Sequence, residues 1–482
     1  MKIVILGSAI STMKILLQFQ GVIKGRGGLV LCPIISCALF YLYFKKNRLR
    51  RLSLTPSLPL ELVTVSSVAH GISECTDLSE FGFDMAKSDP YDKDINPNGI
   101  MQLGVAVNLL CSDLIEQWVA RNWNHSIGSN GEGIKGIVPY QPFDGLMDLK
   151  MAMSNFMSKV MGNIDIDPLQ LVLTSGATPA IEILAFCLGN PGDAFLIPAP
   201  YYPGFDRDLE RTGVALIPVH SHSSDNFTLS IAALKQAYSR AINQGSKVRG
   251  ILLSNPSNPV GNLLPKKMLE SLLDFAREKN IHIVSDEIFA GSVHGNSEFI
   301  SMAEIVKENE IDKNRVHIIY GISKDLSLAG FRVGSIYTFN ENVLKAAKRM
   351  TRFCSISTPT QRLLITMLSD EVFIKEYMKT YKKKLKLMNS LLVESLRQVG
   401  IRCCNSDAGL FCWADMSALI NPDNPKGEME LWDKMMRVGK LFILPGSDFH
   451  CIEPGWFRCC FCALSENDVP LVIERIQRVC DK

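Results

Sequence analysis

The stretch Ser323-Lys324-Asp325-Leu326-Ser327-Leu328-Ala329-Gly330-Phe331-Arg332 decides how this chain is read. It follows Val316-His317-Ile318-Ile319-Tyr320, a short, mostly apolar run with the composition of a buried strand. A lysine just past such a strand suits imine chemistry. Burial and cationic neighbours lower a lysine's pKa enough to leave a free amine that condenses with an aldehyde, and a nearby arginine can hold a phosphate in fixed geometry. Lysines beside strands are also common as solvated surface residues, so the upstream context decides.

Working backwards, Ile281-His282-Ile283-Val284 is a second short apolar strand, and it ends at Ser285-Asp286-Glu287. Open α/β sheets bind ligands at the C-terminal edge of their strands. Asp286 there fits two roles: a helix N-cap, or an acid that keeps a pyridine nitrogen protonated and so makes the ring an electron sink. Ile251-Leu252-Leu253-Ser254 runs into Asn255-Pro256-Ser257-Asn258-Pro259, a rigid turn from which the Asn258 amide can donate to a ring oxygen. Leu171-Val172-Leu173-Thr174 leads into Ser175-Gly176-Ala177-Thr178-Pro179 and an apolar helical run, with Thr178 expected as cap and Pro179 at the first helical position. Such a helix start attracts phosphate, so this turn and Arg332 can grip one anion from two sides. Between them, Pro200-Tyr201-Tyr202-Pro203 offers an aromatic to stack on a flat heterocycle. Phosphate turn, aromatic, amide, acid and lysine-arginine, in that order, point to pyridoxal 5'-phosphate.

With these residues in place the chain resembles the fold-type I pyridoxal-phosphate enzymes of aminotransferase class I/II, and among them the plant ACC (1-aminocyclopropane-1-carboxylate) synthase family. The resemblance rests on Asn96-Pro97-Asn98-Gly99-Ile100, Tyr201-Tyr202-Pro203-Gly204-Phe205-Asp206-Arg207-Asp208, Asn255-Pro256-Ser257-Asn258-Pro259, Ser285-Asp286-Glu287-Ile288, Ser323-Lys324-Asp325-Leu326, Ala408-Gly409-Leu410-Phe411 and Glu453-Pro454-Gly455-Trp456-Phe457-Arg458, and spans roughly residues 95 to 480. It implies that Lys324 carries the cofactor as an internal aldimine, that Asp286 pairs with the pyridine nitrogen and that Asn258 reaches the ring hydroxyl. It further implies that Tyr202 stacks on the ring, that Gly176, Ala177, Thr178, Ser323 and Arg332 hold the cofactor's phosphate end, and that Arg458 and Ala106 bind substrate, Arg458 through the α-carboxylate.

The departures from the family pattern bear on the reaction. The family's G-L-A-E-N is Gly104-Val105-Ala106-Val107-Asn108 here, so Val107 replaces a glutamate associated with S-adenosylmethionine. Its F-Q-D-Y-H-G is Tyr140-Gln141-Pro142-Phe143-Asp144-Gly145, so Phe143 lacks a hydroxyl that reaches the cofactor from the neighbouring subunit. Phe289 and Gly321 likewise stand where a tyrosine and a serine are usual. Hydrogen bonds to charged acceptors contribute about 1.5 to 3 kcal/mol each, so the cofactor is expected to be held less tightly. Amino transfer needs only the lysine and the pyridinium, and both survive. The expectation is therefore an aminotransferase of the ACC synthase family, using acidic or aromatic amino donors and a 2-oxo acid. ACC synthesis from S-adenosylmethionine and a catalytically weak heterodimer partner are the alternatives.

At 482 residues the chain can bury an ample core. Residues 1–60 carry nine Lys or Arg and no acid, which leaves the remainder at −7 and gives no encouragement to nucleic-acid binding. Gly27 to Phe44 is an uncharged run of 18 residues followed by Lys45, Lys46, Arg48, Arg50 and Arg51. As a helix it would be about 27 Å long, close to a hydrocarbon core of about 30 Å. The positive-inside rule then puts the body in the cytosol, tethered to a membrane. An interfacial anchor, an organelle presequence and a plain cytoplasmic location are the alternatives. Among fourteen cysteines, Cys403-Cys404 and Cys459-Cys460-Phe461-Cys462 lack paired zinc spacings and read as buried strand residues of a reduced, cytosol-facing protein.

Strand and helix alternate to about residue 345, which predicts a mainly parallel, seven-stranded sheet with helices on both faces. The expected division is a basic head over 1–60, linker and arm over 61–94, a cofactor-binding large domain over 137–345, and a smaller α/β domain from 95–136 and 346–482. A hydrophobic helix is expected ahead of them, and the whole is expected to pair as a homodimer.

Overall fold

The computed structural model describes residues 64–480 apart from 75–76, 129–132 and 308–311. Seven strands build the main sheet: β1 (Leu171–Thr174), β2 (Asp193–Ala199), β3 (Ala215–His220), β4 (Lys247–Ser254), β5 (His282–Asp286), β6 (Val316–Gly321) and β7 (Gly334–Thr338). Their order is β1-β7-β6-β5-β4-β2-β3. Only β7 runs against its neighbours, and it pairs antiparallel with both β1 and β6. The other pairings are parallel.

Side chains alternate across a strand, so consecutive apolar residues must find cover on opposite faces. Leu252, Val284 and Ile319 join one buried cluster, with the helix α2 (Ala177–Leu188), which follows the helix α1 (Met147–Val160), among its members. Leu253, Ile283 and Ile318, each a chain neighbour of one of those, join the other. The near-continuous apolar strands seen in the sequence are thus strands covered on both sides.

A smaller antiparallel sheet packs strands Leu444–Pro445, Trp456–Cys460, Phe411–Asp415 and Arg402–Cys403 in that order, so Arg458 lies on an inner strand opposite Trp413. Of the described cysteines, Cys111, Cys412, Cys459, Cys460 and Cys462 are buried and free, whereas Cys403 and Cys404, on or beside the edge strand Arg402–Cys403, are free but only partly buried. A long helix, Glu371–Gln398, buries Ile374, Tyr377, Tyr381, Leu385, Met388, Leu392 and Leu396, a stripe at three- and four-residue spacing.

The chain divides after Glu74. Before that point the described residues include a helix, Ser67–Glu74, with no buried residue. The expected hydrophobic helix over 27–44 lies outside the described residues. Among the described residues no helix is long and apolar enough to cross a membrane.

Candidate active site

Four strands deliver their chemistry to one sheet edge, because parallel strands end together. β5 ends at Asp286, paired in register with Ser254 at the end of β4, and the Asn255 amide donates to the Asp286 carbonyl at 2.9 Å. β6 ends at Gly321, and the single helical turn Ile322–Asp325 carries Lys324. β1 ends at Thr174, and Gly176 then opens α2.

These residues line a cavity of about 250 Å³ that brings together Ala106, Ala177, Thr178, Tyr202, Asn258, Asp286, Ser323, Lys324, Arg332 and Arg458. A roomier cavity of about 370 Å³ behind Asn258 has no lysine or arginine in its lining.

Lys324 is a suitable amine. Burial, reinforced by the Arg458 guanidinium, lowers its pKa to about 8, with Cys460 and Asp286 opposing the shift. Its Nζ donates to the Ala106 carbonyl at 2.7 Å, and its own carbonyl accepts from Asn108 Nδ2 at 2.7 Å. Both contacts tie the lysine turn to the Gly104–Asn108 segment. Asp286 is 7% exposed, and burial pushes its carboxyl up to about 7 against the pull of the Ile288 amide and Lys324. A fixed cation beside it would restore its charge. The Asp286 side chain also accepts from the Ile288 amide at 3.2 Å, so it caps a turn as well as facing the cavity.

Arg458 is 3% exposed and lies between Phe411 and Phe449, with ring centres 5.3 and 4.7 Å from its guanidinium carbon. Nη1 donates to Asn258 Oδ1 at 2.9 Å and Nη2 to the Gly104 carbonyl at 2.6 Å, while the buried Nε has no partner. Because Asn258 accepts through its oxygen, its amide NH2 is left to donate.

The phosphate turn differs from expectation in one detail. Gly176, not Thr178, occupies the N-cap of α2, and no side chain caps the helix there. Gly176 has φ +107°, a conformation that favours glycine, and a Cβ on it would meet Arg332 Nη2 at 2.3 Å. Arg332 is thus pressed over bare helix-start amides, with Thr178 left exposed at the cavity. This is the cradle that a phosphate fits, since it combines free N–H groups, a helix dipole and a guanidinium.

Tyr202 lines the cavity, whereas Tyr201 turns away, stacks on His450 at 4.4 Å and donates to Asp206 at 2.8 Å. Phe289 places its ring 5.9 Å from the Lys324 amine. Phe143 is 39% exposed and stands outside the cavity of its own chain, and Val107 is not among the lining residues although its neighbours Val105 and Ala106 are.

Among the lining residues that the sequence does not assign to the site, three are polar: Ser79, Arg207 and Asp208. Burial pushes Asp208 up to about 7, against the opposing effect of Arg207, and one of its carboxyl oxygens is buried without a partner. Arg207 and Asp208 lay within a quoted motif, but charges in a polar helical stretch read as solvated.

A lysine turn, a buried acid, an amide, a phosphate cradle and a buried arginine at one sheet edge define a pyridoxal-phosphate enzyme site. The family model for aminotransferase class I and II matches residues 100–476. The chain belongs to that family, and within it to the plant ACC synthase family, and it depends on pyridoxal phosphate. It is 48% identical to 1-aminocyclopropane-1-carboxylate synthase 6 of Oryza sativa subsp. japonica, over 97% of this chain and 93% of that one. It is 49% identical to probable aminotransferase ACS12 of Arabidopsis thaliana, over 97% and 99%. The aspartate aminotransferase of Thermotoga maritima shares the fold with a TM-score of 0.70 at 21% identity, over 87% of this chain and all of that one.

Proposed function

We propose that the chain transfers an amino group from an amino acid, acidic donors first and aromatic donors second, to a 2-oxo acid. The observation that carries this reading is the charge at the cavity mouth. Arg207 brings a guanidinium to the lining, paired there with Asp77, while Val105 brings no carboxylate and burial raises the carboxyl of Asp208. An acidic donor can exchange its carboxylate for that of Asp77 on Arg207, an exchange that a sulfonium cannot make.

In this reading Arg458 binds the α-carboxylate, because its desolvated guanidinium is fixed between two rings with Nε still unpaired. Gly176, Ala177, Thr178, Ser323 and Arg332 hold the phosphate end, Asn258 the ring oxygen, and Tyr202 a ring face. Pyridoxal phosphate supplies an electron sink that acidifies the substrate α-C–H bond. Asp286 keeps the ring nitrogen protonated. The Lys324 amine, whose pKa burial lowers to about 8, would accept the substrate α-proton and deliver it to the cofactor C4′. The exposed Phe143 is consistent with a homodimer in which each chain completes its partner's rim.

A second reading, formation of ACC from S-adenosylmethionine, is favoured by the names of the relatives, which weigh toward it more than toward acidic or aromatic donors. It uses the same α-proton removal by Lys324. One experiment separates the two. Purified full-length protein with pyridoxal phosphate is given aspartate plus 2-oxoglutarate, or S-adenosylmethionine, and glutamate and ACC are quantified. Glutamate without ACC is expected, and Lys324→Ala should abolish it together with the visible absorbance. Efficient ACC formation without glutamate would replace this reading by the second. Failure of both reactions in protein that holds its cofactor would point to the partner role.

A further inference from the structure

The Arg207 guanidinium is already occupied by a carboxylate, and that carboxylate belongs to this chain. Arg207 lies on the helix Gly204–Glu210 and forms an ion pair with Asp77. Asp77 is the N-cap of the helix Leu78–Ser88, and its other oxygen accepts from the Ser79 amide at 2.8 Å. Ser79 and Arg207 both line the cavity that holds Lys324 and Arg458. The first turn of that helix therefore sits at the cavity mouth, fastened there through one carboxylate.

The two arginines are set differently. Arg458 is buried, clamped by Asn258 and Gly104. The Arg207 side chain is 36% exposed, and the partner the structure gives it is Asp77, itself 12% exposed. A guanidinium accepts one carboxylate in place of another with little change in geometry, and a partly exposed ion pair is among the weaker contacts in a protein. Exchange at Arg207 keeps the guanidinium paired and leaves Asp77 its Ser79 amide, whereas removal of the Arg458 partners leaves a buried guanidinium unpaired.

The geometry points to Arg207 as a second carboxylate-binding residue of the site, and to Asp77 as an internal carboxylate that a ligand displaces. With Arg332 over the phosphate cradle, the two remaining guanidinium groups of the cavity, Arg207 and Arg458, select a ligand with a carboxylate at each end of a short carbon chain. The substrate class is thus the four- and five-carbon dicarboxylic amino acids and their 2-oxo acids. The α-carboxylate goes to Arg458 and the distal one to Arg207. Asp77, released from the pair, keeps the Ser79 amide and so keeps its helix start while the fastening at the mouth opens. This assignment rests on the amino-transfer reading above for its catalytic meaning, but binding tests it without turnover.

The test uses the full-length protein loaded with pyridoxal phosphate, titrated with succinate and separately with propionate while the cofactor absorbance is followed. Wild type should bind succinate more tightly than propionate. Arg207→Gln should weaken succinate at least tenfold and leave propionate unchanged. Asp77→Asn, which preserves the cap but not the charge, should tighten succinate severalfold, because the competitor is gone. The proposal is overturned if Arg207→Gln weakens both acids equally or neither, or if Asp77→Asn weakens succinate. Amino transfer from alanine but not from aspartate would also overturn it, with the amino-transfer reading intact. Arg207-dependent succinate binding without transfer from any donor would uphold it and sink that reading instead.

Discussion

Replacing Asp286 by asparagine should separate the stability of the fold from its chemistry. In the cofactor-free protein burial raises the Asp286 carboxyl from 3.8 to about 7. An acid whose folded pKa lies above its unfolded pKa costs nothing below the unfolded value. Its cost grows as pH rises through the window between the two and is complete above the folded one. A shift of roughly three units corresponds to about 4 kcal/mol at pH 8, an upper figure because relaxation and water entry reduce it. Asp286→Asn removes the charge, and its side-chain oxygen can still accept from the Ile288 amide. The cofactor-free variant should therefore match wild type in thermal midpoint at pH 4 and exceed it by several degrees at pH 8, with the gap opening between pH 4 and 7. Comparing variant with wild type at each pH cancels Asp325, which burial raises to about 6, while Glu287, raised to about 7 by burial and in part by Asp286 itself, widens the gap in the same direction. The same variant should lose about two orders of magnitude or more in rate, as expected when a charged partner of the electron sink is neutralised. Parallel stability curves across pH, or a less stable variant at pH 8, would refute the argument that the acid is buried at a cost for the cofactor's sake.

The Lys324 pKa near 8 predicts that cofactor-free protein takes up pyridoxal phosphate with a pH midpoint near 8, followed by absorbance. At that pH it has about two orders of magnitude more free amine than an ordinary lysine with a pKa near 10.4, and a midpoint above 9.5 would remove the depressed lysine from the account. Gly176→Ala should weaken cofactor affinity at least tenfold, since the new methyl displaces Arg332 from the cradle; equilibrium dialysis giving an unchanged Kd would detach that cradle from phosphate. A reporter carrying residues 1–60 should go to membranes with its C-terminal end toward the cytosol, and protease protection of that reporter in intact vesicles would reverse the topology.

The parallel sheet was legible because its strands are short apolar runs that alternate with helical stretches, and the site was legible because parallel strands end at a common edge. Asp286, Asn258, Lys324 and the phosphate turn all follow from that rule. Less legible was anything decided by three-dimensional approach. Gly176 holds the helix cap because Arg332, 156 positions later, leaves no room for a Cβ, and no local signal in Ser175-Gly176-Ala177-Thr178 states this. The insertion of β7 between β1 and β6 depends on packing across the sheet rather than on strand order. Arg207 was missed as a site residue because its partner, Asp77, lies in a segment that reads as linker and arm. Arg458 came from resemblance alone, since an arginine after Trp456-Phe457 has no local mark of burial.

The clamp on Arg458 joins residues 354 positions apart, Gly104 and Arg458. A ribosome emits Gly104 early and Arg458 near the end, at about 5–20 residues per second, so the nascent chain carries a completed sheet edge for many seconds before Arg458 exists. Through that interval the Gly104 carbonyl lacks the guanidinium that covers it, and Phe411 and Phe449 emerge only shortly before Arg458. Contacts this distant in sequence close slowly, and unfilled apolar clefts invite chaperones or aggregation. Yield in expression should accordingly be more sensitive to changes at the Arg458 end of the chain than to equally buried changes within the early strands.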